Sequence, residues 1–136
     1  MTLQKLTKEM SIMVSSKINS RAKGKKGELE LAQVLRKQGH LEARRGQQYC
    51  GLDGNADVIG VKGIHIECKR QERIADEMWM KQAEDDARKG EIPVVIYRRN
   101  HEKWKLLIRQ DLADIIWQTL TDKQKADIRD KVKSIG

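Results

Sequence analysis

The sequence predicts a single α/β domain, one mixed β-sheet flanked by helices, and three observations carry that reading. Apolar residues recur with helical spacing over 28–38, 73–89 and 110–120, with short strand-like runs between these segments. Glycines at 39, 46, 60, 63 and 90 fall at the ends of the runs, where helices stop and chains turn. The length, 136 residues, suits one domain large enough to bury a core without staples.

The elements follow in order. The first 20 or so residues lack strong periodicity and lead into Ser20-Arg21-Ala22-Lys23-Gly24-Lys25-Lys26-Gly27. Two glycines among Arg21, Lys23, Lys25 and Lys26 read as a mobile arm, either a solvated charge run or a phosphate contact. Glu28 to Gln38 reads as a helix stopped by Gly39, with Leu31, Ala32 and Leu35 as its apolar stripe. Glu28 precedes those three by three, four and seven residues and so shares their inward face. A carboxylate in a first turn favours the helix dipole, but one facing a core also needs a partner.

Leu41 to Arg45 is expected to form a strand, and residues 46–55 a polar, glycine-punctuated loop. Ala56 to Gly60 and Ile64 to Arg70 read as a hairpin around Val61-Lys62-Gly63, with Gly63 left-handed. In that register Gly60 faces Ile64, and Asp57 lies directly opposite Glu67. Lys69 and His65 join the same face, while Cys68 points into apolar packing. Arg73 to Lys89 reads as a second helix, its stripe running through Ala75, Trp79, Ala83 and Ala87, with Gln82 on the edge. Ile92 to Arg98 is expected to be a central strand and Trp104 to Ile108 another. Gln110 to Leu120 reads as a third helix. Thr121 to Lys133, opening on a Thr-x-x-Gln capping box, reads as a fourth. Trp79, Trp104 and Trp117 each fall on apolar stripes, so core packing is expected of them rather than base stacking.

Charge narrows the function. Twenty-eight basic against twenty acidic residues give +8, an excess that points to a polyanionic partner, most often nucleic acid. Cys50 and Cys68 form no CxxC pair and no cysteine–histidine cluster, which argues against structural zinc and a disulfide framework. A reducing, cytoplasmic setting is expected. No apolar run approaches the roughly 20 residues of a membrane span, and Ile12-Met13-Val14 is too short for a signal-peptide core.

Asp57, Glu67 and Lys69 on one hairpin face carry the chemistry. Two carboxylates about 5 Å apart repel unless a cation or proton lies between them. Hard oxygen ligands with open positions suit Mg²⁺ shared with substrate phosphates. A lysine beside such a cation can orient a water or neutralise charge on a phosphorane-like transition state. The plainer alternative is a solvated salt-bridge cluster. Against it stands the apolar surround of Val58, Ile59, Ile64 and Ile66. His65 shares the face but reads as a packed or solvent-facing neighbour, and His40 and His101 have no partners at ligand spacing.

Asp57, nine intervening residues, then Glu67-Cys68-Lys69 resemble the D…(D/E)-x-K signature of the PD-(D/E)XK nuclease superfamily. Gly27-Glu28-Leu29-Glu30-Leu31-Ala32, with Leu35 and Gly39, is similar to the preceding helix of the Holliday junction resolvase branch of archaea and phages. The resemblance runs from about Lys23 to Ile108. It departs at Ala56, where the signature has a proline that shapes backbone and binds nothing.

The resemblance implies a restriction-endonuclease-like core and a metal-dependent, structure-selective DNA endonuclease, a Holliday junction resolvase acting as a homodimer on branched DNA. It implies an N-terminal arm over residues 1–22, a nuclease domain over 23–120 and a C-terminal helix over 121–136. Asp57, Glu67 and the Cys68 carbonyl would bind Mg²⁺, with Mn²⁺ able to substitute, and Glu28 would be a further acidic ligand. Lys69 would position the attacking water, and Gln82 resembles an accessory residue on the following helix. Lys23, Lys25, Lys26, Arg44, Arg45, Gln47, Gln48 and Arg70 are the expected DNA contacts. A restriction-like or nicking nuclease and a non-catalytic nucleic-acid-binding module stay open as alternatives.

Overall fold

The computed structural model describes residues 2–46 and 56–135. Helix α1 spans Leu3–Lys37, and its N-cap Thr2 accepts a hydrogen bond from the Lys5 N–H at 3.2 Å. It therefore begins far before Glu28, and the basic segment read as a loose arm is helical. This corrects the expectation of a break near residue 22. A glycine costs a helix interior only about 1 kcal/mol, so Gly24 and Gly27 amid lysine, arginine and alanine do not end it. Gly27 also lets α1 pass close to β3, since a Cβ there would lie 3.0 Å from the Arg70 Cβ. The helix stops where expected, at Gln38, with Gly39 at φ +105°.

Five strands form one mixed sheet in the order β1 (Arg44–Arg45), β2 (Val58–Ile59), β3 (Ile64–Arg70), β4 (Ile92–Arg98), β5 (Lys105–Leu107). All neighbours run antiparallel except β3 and β4. That parallel pair needs a crossover, which α2 (Asp76–Asp86) supplies. β3 and β4 keep their expected bounds, whereas β1, β2 and β5 are shorter than expected. Gly60 explains the end of β2. Its φ of +95° turns the chain away, and a Cβ there would lie 2.0 Å from the Glu42 carbonyl oxygen.

The sheet buries both faces. On one, Leu31, Ala32 and Leu35 of α1 pack with Val58, Ile66, Cys68 and Val94. On the other, Trp79, Met80 and Ala83 of α2 pack with Val95. Alternation along β3 thus sends Ile66 and Cys68 toward α1, and His65, Glu67 and Lys69 toward α2. The three layers are those of the α/β, restriction-endonuclease-like architecture the sequence predicts.

Helices α3 (Gln110–Thr119) and α4 (Asp122–Ile135) bury no residue. The Thr121–Gln124 capping box forms in both directions, at 2.8 and 3.1 Å. Trp117 does not join a core as expected: it is exposed, with the Lys125 ammonium 5.5 Å from its ring centroid. Its helix is amphipathic, and Ile115 and Ile116 beside it are also exposed. Among the described residues no helix is long and apolar enough to cross a membrane.

Candidate active site

The β2–β3 register pairs Val58 with Ile66, as the hairpin arithmetic requires, and extended by one residue it sets Asp57 opposite Glu67. Asp57, just before β2, donates its N–H to the Ile66 carbonyl at 3.0 Å. Its carboxylate accepts the Cys68 N–H at 2.8 Å. Glu28 arrives from α1, in the opposite layer, and is held by the Arg45 guanidinium from β1. From β3, Lys69 reaches across to α2 and donates to Gln82 Oε1 at 3.0 Å.

Glu28, Asp57, Lys69 and Gln82 line one cavity of about 710 Å³ at the C-terminal end of β3, with Lys23, Arg70 and Arg73 on its walls. Glu67 stands behind Asp57 and is 1% exposed. Its Oε1 is bonded to His65 Nε2 at 2.8 Å, and its carboxyl group is in hydrogen-bond contact with Asp57.

Electrostatics mark the place. Burial, and then the Glu67 carboxylate beside it, push Asp57 from an ordinary 3.8 up to about 7, against the opposing pull of the Cys68 N–H. Burial first, then the charges of Asp57 and Glu28, push the Cys68 thiol well up, so it stays a neutral packing group. For His65, burial disfavours the charged ring. The Glu67 hydrogen bond and the charges of Glu67, Glu91 and Asp86 outweigh it, and the net shift is upward. Asp57, Glu67 and Glu28 are all buried. Carboxylates in contact repel, and Asp57 carries that cost in its raised pKa unless a cation joins the group. The donor set is hard oxygen, which fits a divalent cation. The ligand atoms of His65, Glu67 and Asp86 also lie within 4.8 Å of one another.

The expected DNA contacts divide. Lys25, Lys26 and Arg44 are exposed. Lys23 lies 3.9 Å from Glu72, and Arg70 sits half-buried 3.9 Å from Glu30. Arg45 is turned inward to Glu28 rather than outward. Gln47 and Gln48 lie outside the described residues.

Sequence reasoning missed three contacts. It put His65 on the right face without its bond to Glu67, and it placed Arg45 on DNA rather than on Glu28. It also left Glu30 idle, whereas Arg98 Nε donates to Glu30 Oε1 at 2.9 Å. The inward-facing Glu28 carboxylate, which needs a partner, was the signal that could have found Arg45.

A family model described as "Phage putative PDDEXK endonuclease" matches residues 19–134. Searches of curated proteins and of solved structures each find no match.

Proposed function

The chain belongs to the phage PDDEXK endonuclease family, a nuclease family whose substrate is DNA, and from that premise we propose a divalent-metal-dependent, structure-selective endonuclease that resolves Holliday junctions. The observation that carries the site is the meeting of Asp57, Glu67 and Lys69 on one hairpin face, joined by Glu28 from another layer. Residues 23–120 would form the nuclease core and 121–136 its C-terminal helix.

In this reading Asp57, Glu67 and the Cys68 carbonyl hold Mg²⁺, or Mn²⁺ in its place, and Glu28 is a further acidic ligand. The bound cation supplies Lewis-acid stabilisation of the charge that develops on the scissile phosphate. Lys69 orients the attacking water. Its ammonium has three donors, and the Gln82 bond fixes one of them, leaving two for the water and a phosphate oxygen. Arg45 holds Glu28 in place. Lys23, Lys25, Lys26, Arg44 and Arg70 hold the sugar–phosphate backbone and do no bond chemistry.

Cutting two strands symmetrically takes two sites related by a two-fold axis, so a homodimer completes the proposal. The exposed apolar side chains of α3 and α4, among them Ile115, Ile116, Trp117 and Val132, support it. The test is cleavage of labelled four-way junction, flap and linear duplex side by side with Mg²⁺. Paired, symmetric nicks in the junction alone are expected. Equal cutting of linear duplex would replace this reading with the restriction-like one, and binding without any cutting with a non-catalytic module.

A further inference from the structure

We infer that His65 is a positioning residue for the nuclease reaction, acting through Glu67 to set the carboxylate that holds the metal. The inference rests on the proposed function above and adds a residue to it. His65 and Glu67 are separated by two positions on β3 and so point to the same side of the sheet. Both are sealed from solvent, at 0% and 1% exposure. His65 Nε2 meets Glu67 Oε1 at 2.8 Å, and a carboxylate can only accept, so the ring nitrogen donates. Both the neutral ring protonated at Nε2 and the imidazolium make this bond. The other ring nitrogen, Nδ1, is buried with no hydrogen-bond partner among the described residues, so Glu67 is the contact that orients the ring.

The consequence lies in what remains of Glu67. One oxygen is committed to His65, so the second is left for the Asp57 side. The Asp57 and Glu67 carboxylates repel, and without His65 the Glu67 carboxylate is free to rotate away. That rotation removes a ligand oxygen. A donor that fixes a ligating carboxylate commonly changes metal affinity or activity by about 10–100-fold. Asp86, exposed at the end of α2, lies near both groups but is one of several charges around the ring.

The experiment is a Mg²⁺ titration read by thermal unfolding, without DNA, since a cation that binds only the folded state stabilises it by RT ln(1 + c/Kd), with c the free Mg²⁺ concentration, and so raises the melting temperature. His65→Ala is expected to weaken apparent Mg²⁺ affinity about 10–100-fold. His65→Gln, whose amide donor reaches nearly as far as Nε2, is expected to recover most of that loss. Melting in EDTA reports any loss of fold separately. Should His65→Ala not fold, His65→Asn, with a shorter amide, takes its place against His65→Gln. Asp86→Asn is expected to bind Mg²⁺ like the parent. Parental affinity in His65→Ala, or equal losses in the alanine and glutamine variants, overturns the inference. So does an Asp86→Asn loss as large as that of His65→Ala, which would make the three groups a metal site in their own right. Glu67→Gln is run alongside: if it keeps the full Mg²⁺ response, the proposed metal site itself is wrong, whatever His65 does.

Discussion

Asp57 holds its carboxyl group where burial and the neighbouring Glu67 both oppose ionisation, and its pKa rises to about 7. A carboxylic acid with a folded pKa above its unfolded value stabilises the fold below the unfolded pKa. That stability is lost as pH rises through the folded pKa. For Asp57 the loss falls between about pH 4 and pH 7. Metal-free Asp57→Asn should therefore melt above the parent at pH 8, with the gap closing toward pH 4, as followed by circular dichroism in EDTA. A gap independent of pH would show that Asp57 is not the strained group. The same sign governs the proposed reaction: at limiting Mg²⁺, cleavage should rise with pH through about 7, as a proton stops competing for the carboxylate. The sequence located this residue from hairpin register alone. The strain came only with the structure, because burial depends on α1 and α2 closing over the sheet from both sides.

The β2–β3 hairpin was legible because the turn at Gly63, at φ +81°, gives the Val58–Ile66 register, although Gly60, read as strand, ends β2 at φ +95°. Helix α1 was legible only in its second half. Local periodicity cannot see that Gly27 is there to let Arg70 approach. Nor can it pair Glu30 with Arg98, whose separation of 68 positions is bridged only when α1 lies on β4. That contact changes what the two glutamates of α1 should do. Glu28→Ala should lower Mg²⁺ affinity or cleavage, because Glu28 faces the cavity beside Asp57. Glu30→Ala should leave the cleavage rate unchanged but cost about 1–2 kcal/mol in urea unfolding, because a part-buried, two-nitrogen clamp between α1 and β4 is lost. Equal effects of the two on cleavage would remove Glu28 from the site. The ends of α2 and the short β1 and β5 were not legible for a related reason: pairing partners set them, not propensity.

For the whole molecule, a net charge of +8 makes DNA binding a salt-sensitive equilibrium. Replacing Lys23, Lys25 and Lys26 with alanine should shallow the log–log salt slope by roughly two to three if all three touch phosphate, at about 0.9 per contact on duplex. The lysines lie on the α1 turn that leads into Glu28, so a rigid helix rather than a loose arm would present them to the backbone. Affinity should fall more than the rate on saturating substrate, and an unchanged slope would make them a solvated face. The layers and the acidic site were readable from pattern and spacing. The unburied face of α3 and α4 was not, since amphipathic spacing marks an apolar side without saying what covers it. The central claim is that Asp57, Glu67 and Lys69 form the cutting site, and single-turnover cleavage by Asp57→Asn, Glu67→Gln and Lys69→Ala, with DNA binding measured on the same samples, tests it most directly. Cleavage should be abolished in each while binding stays near the parental value, since most phosphate contacts lie elsewhere and the lost transition-state stabilisation amounts to several kcal/mol. Cutting at the parental rate by all three variants would contradict it.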